Sequence, residues 1–343
     1  MQKIDRAVLF GGTGFIGTHF SLHLLRGDLA RKIVLVDIAP PRVAAYASQL
    51  TEGLKTGKVE FVQWDVRNPV PASLLPDRVD LVANFAAIHR EPGHLPKEYF
   101  ETNILGAENV CAYAATTHCP RVLFTSSISP YGPCEEAKDE SALPTPESPY
   151  GASKLCAEKI HMVWKAADPG RKLLIIRPGV VFGPGEGGNV TRLVRSLVRG
   201  YFAYMGNRNV RKAGGYVKEL SAAMQFCIEH QESSGEDLTL ANFSMDPPFR
   251  VEDIVNAVRQ VAGIHGKPFS VPRSLLLAAS YPIASISGVL GIKQPIDPAR
   301  VRKLFRSTNI APVRLRELGY QWTYDLQSAL KDWQKEQPSD FMK

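Results

Sequence analysis

Cysteine is sparse and unpatterned in this 343-residue chain: Cys111, Cys119, Cys134, Cys156 and Cys227 are odd in number and contain no Cys-x-x-Cys. A disulfide framework or zinc ribbon is therefore excluded, and reduced thiols in a cytosol are expected. No His, Cys, Asp or Glu cluster has metal-ligand spacing, so no metal is expected. Lys and Arg (41) outnumber Asp and Glu (34), for a net charge of +7, yet basic runs interleaved with aromatics are missing. Anions are welcome, but nucleic acid is not an expected partner. Low-complexity segments and internal repeats are also absent, and 44% hydrophobic content suffices for one large core or two moderate ones. The first apolar run begins within a few residues of Met1, leaving no room for a signal peptide, so a cytoplasmic location is expected. Charge is missing altogether from Ser274 to Ile292, 19 residues between Arg273 and Lys293. That stretch is marginal for a membrane span and carries Pro282. It reads as a buried or interfacial helical hairpin, with no span expected and peripheral membrane contact left open.

What is present begins with Ala7 to Gly17, an apolar strand running into Gly11-Gly12-Thr13-Gly14-Phe15-Ile16-Gly17 and then a helix. The pattern is that of a dinucleotide cradle. Gly11 permits the sharp exit from the strand, Gly14 keeps a Cβ away from a pyrophosphate, and Gly17 lets the helix lie close on the strand. A second apolar strand, Ile33 to Val36, ends in Asp37, 20 residues beyond Gly17. A carboxylate there suits a ribose 2′-hydroxyl and repels a 2′-phosphate.

Further strands are read at Val59 to Gln63, Leu81 to Phe85, Val122 to Thr125 and Leu173 to Ile176, with long helices over Leu95 to Ala115 and Tyr150 to Ala167. This rhythm makes an α/β fold with a doubly wound parallel sheet. Ligands in such sheets sit at the carboxyl ends of the strands, where Asp37, Asp65, Asn84, Ser126, Ser127 and Arg177 fall. Beyond Arg177 the rhythm breaks into a Gly/Pro-rich passage, a basic helix from about Asn189 to Arg199 and a helix over Val251 to Val261, read as a smaller second lobe.

Tyr150 and Lys154 stand four apart at a helix start, which puts both on one face. Such pairs also occur on ordinary helix faces. Here the cradle lies upstream and a serine-rich strand end, Thr125-Ser126-Ser127, lies between. A tyrosine acting near neutrality needs its pKa lowered by about 3 units, roughly 4 kcal/mol of preferential stabilisation of the phenolate, for which a neighbouring ammonium is one source.

These marks resemble the extended short-chain dehydrogenases/reductases, in particular their NAD-dependent nucleotide-sugar epimerase and dehydratase group. The likeness runs through the Gly11 to Gly17 turn, Asp37, Asp65-Val66, Asn84-Phe85-Ala86-Ala87, Asn103, Ser127 before Tyr131-Gly132, Tyr150 with Lys154, Arg177 to Gly185, Tyr216-Val217 and Leu318-Gly319-Tyr320. The resemblance implies a Rossmann domain over 1–178, joined by segments near 210–242, and a C-terminal α/β substrate lobe over 179–343. It implies NAD held by Gly11, Gly14, Phe15, Ile16, Gly17, Asp37, Asp65, Val66, Ala86, Ala87, Asn103, Tyr150, Lys154, Pro178 and Val180. Ser127 would then bond the substrate oxygen, Tyr150 exchange its proton, and Lys154 lower the tyrosine pKa and hold the nicotinamide ribose. Paired helices Leu95 to Ala115 and Tyr150 to Ala167 imply a homodimer.

Departures from the family pattern narrow the reaction. Ile128 and Ser129 stand where dehydratases carry Asp-Glu and decarboxylases a glutamate, so neither reaction is expected. Arg177-Pro178-Gly179-Val180 replaces the Arg-x-Phe-Asn of many epimerases, and Gly214-Gly215 precedes Tyr216 where an arginine is usual; Arg208, Arg211 or Lys212 could substitute. His89 and Arg90, on the loop after the fourth strand, and Ser129 are further candidates to touch substrate, with Arg211 taken as the substitute cation. The expected activity is NAD-dependent epimerisation of a nucleotide sugar at C4. The alternatives are a 4-keto-sugar reductase or 3-hydroxysteroid-like dehydrogenase, and, in another class, a non-catalytic NAD-binding regulatory protein.

Overall fold

A computed structural model describes residues 3–71, 73–91, 93–205, 207–271 and 306–342. The uncharged Ser274 to Ile292 stretch lies outside them. In chain order the first half comprises β1 (Ile4–Phe10), α1 (Phe15–Arg26), β2 (Ala30–Asp37), α2 (Ser48–Lys55), β3 (Val59–Gln63), β4 (Leu81–Asn84), α3 (Pro96–Thr116), β5 (Arg121–Thr125), β6 (Cys134–Lys138), α4 (Pro149–Ala166) and β7 (Lys172–Pro178). There follow β8 (Val180–Phe182), α5 (Asn189–Val198), β9 (Ala203–Met205), β10 (Arg211–Lys212), β11 (Gly214–Tyr216), α6 (Val217–Ser234), β12 (Leu238–Phe243), β13 (Phe249–Arg250), α7 (Val251–Val261), β14 (Phe269–Val271), β15 (Thr308–Ile310), α8 (Val313–Glu317) and α9 (Leu326–Glu336).

Seven strands form one sheet in the order β12-β7-β5-β4-β1-β2-β3, every pair parallel. The strands are continuously apolar because both faces are covered. Along β1, Ala7 and Leu9 enter one core while Val8 and Phe10 enter the other, and Ile33 and Leu35 of β2 alternate with Val34 and Val36 in the same way. That is the period of two expected of a strand buried on both sides. The order reverses between β1 and β4, so the crevice for a ligand opens at their carboxyl ends.

Leu238–Phe243 joins the sheet edge beside β7, a seventh strand beyond the six read from the sequence. The later chain otherwise packs on its own core, in which α5, α7 and α9 gather Val194, Val255, Val258, Leu330 and Trp333 around Phe182 and Tyr216. A small mixed sheet, β13-β10-β15-β6, links β6 from the first half to three later strands. All five cysteines are free thiols, Cys156 alone being exposed.

Candidate active site

The turn after β1 is shaped by what a side chain would strike. Gly11 has φ +72°, and a Cβ on it would fall 2.4 Å from the Ala86 nitrogen, so the ends of β1 and β4 touch through backbone alone. A Cβ on Gly17 would meet the Gly11 carbonyl oxygen at 2.4 Å, which is how α1 lies tight on the turn. Gly14, the residue preceding α1, faces open space apart from the Gly11 oxygen at 3.1 Å. No side chain caps the helix and no acidic residue sits in its first turn. Its free N–H groups and positive dipole end are therefore left to an anion. Phe15 and Ile16 form that first turn, Phe15 packing edge-on against His19 and Ile16 against the core.

The other cofactor candidates follow the same sheet edge. Asp37 closes β2, its carboxylate accepting from the Thr13 amide (3.3 Å) and the Ile38 amide (2.8 Å). Asp65 is drawn below the usual carboxylate range by hydrogen bonds from Arg67, and the Val66 carbonyl accepts from Asn109 Nδ2 at 2.8 Å. Ala86 and Ala87 are half-buried beyond β4. Pro178 is buried, its carbonyl accepting from the Ile128 amide, and Val180 stands partly exposed beside it. A glycine floor open to a phosphate, an uncapped helix start and a carboxylate at the end of β2 fit a dinucleotide with a free ribose 2′-hydroxyl.

The reactive side chains come from β5 and α4. Ser148 caps α4, its Oγ accepting from the Gly151 amide at 3.1 Å, and Pro149 opens the first turn. That cap fixes the helix start on which Tyr150 and Lys154 lie one turn apart. Ser127, just beyond β5, lies by the Tyr150 phenol and favours its ionised form, accepts from the Ser129 amide (3.1 Å) and donates to Ser129 Oγ (3.0 Å). Asn103 of α3 clamps the group from behind. Its Oδ1 accepts from the Ile88 amide (2.9 Å), and its Nδ2 donates to the Ile88 carbonyl (3.1 Å) and Ser153 Oγ (2.9 Å). The structure thus assembles Ser127, Ser129, Tyr150, Lys154 and Asn103 within one buried neighbourhood.

Electrostatically, the protein alone differs from the expectation that Lys154 lowers the tyrosine. Burial pushes Tyr150 up to about 12, with Ser127 opposing. Burial likewise takes Lys154 down to about 7, opposed by Glu158, while its ammonium lies 4.3 Å over the Phe124 ring. Desolvation disfavours both charged forms and is the largest influence on each.

Two loop candidates sit at the rim. His89 is exposed but feels the Lys154 charge, and Arg90 is exposed, contributing its carbonyl to the Tyr99 hydroxyl at 2.5 Å. Arg211 is directed elsewhere. Pairing of β10 with β13 sets it opposite Arg250, and its Nη1 donates to the Pro248 carbonyl at 2.9 Å on an open cleft of about 950 Å³. That cleft is walled by 245–250 and 322–328 and includes none of Ser127, Tyr150 or Lys154.

Sequence reasoning missed Glu158, Tyr131 and Asn242 as members of the site. Glu158 lies four residues after Lys154, a spacing that could have found it; nothing in the chain near Asn242 signals its place. Among the described residues, no three His, Cys, Asp or Glu side chains gather as metal ligands.

The chain is similar to several known proteins. A 4-epimerase of Escherichia coli O157:H7 that acts on N-acetyl-α-D-glucosaminyl-diphospho-ditrans,octacis-undecaprenol is 27% identical, over 95% of this chain and 93% of that protein. The bifunctional UDP-glucose and UDP-xylose 4-epimerase 3 of Arabidopsis thaliana is 32% identical over 55% of this chain and 56% of its own. A decarboxylating sterol-4-α-carboxylate 3-dehydrogenase of Candida albicans is 24% identical over 98% of this chain and 99% of its own. The fold is shared with a UDP-glucuronic acid 4-epimerase of Bacillus cereus solved with NAD, at a TM-score of 0.72 and 20% identity over 98% of this chain and 99% of that one. Residues 7–241 match the model of the NAD dependent epimerase/dehydratase family, and the chain belongs to that family.

Proposed function

We propose that the protein is an NAD-dependent C4-epimerase of a sugar held on a diphosphate. The observation that carries this is the placement of Ser127 by the Tyr150 phenol with Lys154 one turn on along α4, together with an open glycine cradle after β1. NAD, when bound, supplies the hydride acceptor and returns the hydride. Ser127 orients the sugar hydroxyl, Tyr150 takes and returns its proton, and Lys154 holds the ribose and adds positive charge near the phenol. Asn103 keeps the loop at Ile88 and the start of α4 in register. In this reading residues 1–178, with 210–242, carry NAD, and 179–343 carries the sugar.

The carrier is proposed to be a lipid rather than a nucleoside. In sequence the undecaprenol-linked and sterol enzymes align over nearly the whole chain and the UDP-glucose and UDP-xylose epimerase over about half, although UDP-sugar epimerases share the fold over the whole chain. The net charge of +7 and the uncharged Ser274 to Ile292 stretch suit a bilayer surface. Phe269 (83% exposed) opens β14, shortly before that stretch in sequence, and Tyr201 (66%) lies just before β9, the strand that pairs with β14; Arg199 and Lys267, close to them in sequence, are exposed. No helix of the described residues is long and apolar enough to cross a membrane. Contact is therefore proposed to be peripheral, from the cytoplasmic side. Exposed Phe100 and Leu105 on α3 and Val163 on α4 support a homodimer through that helix pair.

The deciding experiment incubates the protein and NAD with undecaprenyl-diphosphate-linked N-acetylglucosamine in micelles, UDP-N-acetylglucosamine and UDP-glucose. Epimer without net NADH is expected, fastest with the lipid-linked sugar. Stoichiometric NADH with a 3-hydroxysterol instead would establish the dehydrogenase reading that the sterol enzyme favours. Full turnover by Tyr150→Phe would refute the assignment of the base.

A further inference from the structure

Beneath the reactive residues runs a chain of buried polar groups that catalysis as described does not use. Glu158 is fully buried one turn past Lys154 on α4. Its carboxylate takes a bidentate pair from Arg177, Nε to Oε1 at 2.8 Å and Nη2 to Oε2 at 2.6 Å, and accepts from Ser126 Oγ at 2.5 Å. Arg177 Nη1 donates to the Tyr131 hydroxyl at 2.6 Å, with the guanidinium 4.7 Å from the Tyr131 ring centre. Tyr131 donates on to Asn242 Oδ1 at 3.0 Å, and Asn242 Nδ2 to the Ala311 carbonyl at 3.1 Å. The chain therefore joins the middle of α4 to the ends of β5, β7 and β12.

A buried ion pair roughly breaks even with an apolar replacement of the same shape, so stability does not by itself account for this one. Its placement supplies another reason. Ser126 immediately precedes Ser127, and Glu158 is the carboxylate whose charge acts on Lys154. The other titratable groups facing Lys154 are His161 on the next turn of α4, His89 on the loop after β4, and Tyr150. None of them offers a carboxylate. Arg177 acts from β7 through its pairing with Glu158.

We propose that Glu158 is a positioning residue for the reaction, anchoring the serine strand end through Ser126 and supplying the buried negative charge that keeps Lys154 protonated. This rests on the reading of Ser127, Tyr150 and Lys154 as the reactive group. Arg177 orients the Glu158 carboxylate and ties it to Tyr131 and the later chain.

The test is Glu158→Gln in the full chain with NAD, read as the pH profile of kcat on whichever sugar of the panel turns over. Gln keeps the acceptor for Ser126 but removes the charge. Lys154 then loses its proton at lower pH, and the alkaline limb is expected to move down by about one pH unit, while the Kd for NAD stays within about threefold. Titration of Lys154 by NMR with isotope-labelled lysine reads the same shift without turnover. Glu158→Asp, which keeps the charge, is expected to leave the limb near its wild-type position. Because Gln leaves Arg177 unpaired, a double variant, Glu158→Leu with Arg177→Met, removes both charges and is expected to recover stability while keeping the shifted limb. A wild-type profile and lysine titration in either charge-removing variant would overturn the proposal. If those stay wild-type while Tyr150→Phe is inactive, only the role of Glu158 falls; activity in Tyr150→Phe would bring down the underlying reading instead.

Discussion

Three glycines of one turn should fail in different ways when given a methyl group, and the difference tests whether the turn holds a diphosphate. At Gly17 the new Cβ would lie 2.4 Å from the Gly11 oxygen and 2.7 Å from the Gly12 Cα, both backbone atoms with no rotamer to escape into. Overpacking of this kind costs about 1–3 kcal/mol, offset by about 1 kcal/mol of helix propensity. Gly11→Ala adds to a similar clash a positive φ of +72° and should be worse. At Gly14 the backbone has φ −65°, which any residue adopts, and the one near atom is the Gly11 oxygen at 3.1 Å. Gly14→Ala should therefore keep its unfolding free energy within about 1 kcal/mol of wild type. Its methyl group would nevertheless stand where a phosphate approaches the start of α1, and a tenfold or greater rise in the Kd for NAD is expected, about 1.4 kcal/mol or more. Urea unfolding and a fluorescence titration with NAD separate the two effects. A Gly14→Ala protein that binds NAD as tightly as wild type would show that the diphosphate does not rest on this turn.

Other substitutions probe the remaining parts of the site. Asp37→Ser removes the charge that repels a 2′-phosphate, and the preference for NAD over NADP, measured as a ratio of Kd values, should fall by about tenfold or more. Asn103→Leu leaves the Ile88 amide, the Ile88 carbonyl and Ser153 short of partners, and a loss of about 1–3 kcal/mol in urea unfolding is expected, with weaker NAD binding. Burial holds His19 and His161 neutral, each pushed down to about 4 from 6.5. The unfolded chain therefore binds more protons, and stability is lost as pH falls from about 6.5 to about 4, by about 3 kcal/mol per histidine. Urea midpoints at pH 7 and pH 5 should differ less in His161→Phe than in wild type.

The fold was legible because the parallel strands carry unbroken apolar runs and the turn between β1 and α1 carries its own glycine signature. Both signals are local. Leu238–Phe243 escaped as a strand because Thr239 and Asn242 interrupt its apolar run, although Ser234-Gly235 before it and Asp246-Pro247-Pro248 after it mark turns. Tyr150, Lys154 and Ser127 were legible by spacing and strand-end position, and the structure gathers them. Glu158, Tyr131 and Asn242 were not, because a buried polar chain is defined by partners far apart in sequence: Tyr131 and Asn242 are 111 residues from each other. Arg211 was legible as a cation but not in its direction. Its placement, on the cleft beside Pro248 and away from Ser127, Tyr150 and Lys154, is set by the pairing of β10 with β13.

What the sequence could not supply is the balance between burial and charge at the Tyr150–Lys154 pair, and that balance carries a last prediction. Burial pushes the phenol up to about 12 and the ammonium down to about 7, so the protein by itself favours a neutral tyrosine and weakens the hold of Lys154 on its proton. A base held this way stays protonated until positive charge enters the same low-dielectric space, and the oxidised nicotinamide ring carries such a charge. Phenolate absorbance, with Tyr150→Phe as the blank, should then place the Tyr150 titration near pH 12 in the free protein. In the protein saturated with NAD it should lie lower by at least about one unit, since one pKa unit corresponds to about 1.4 kcal/mol and a charge in a buried site exceeds that readily. Saturation with NADH, whose ring is neutral, should leave the titration close to its position in the free protein. Equal shifts with NAD and NADH would mean that cofactor contact rather than ring charge governs the phenol, and the argument for charge-gated proton transfer would fail.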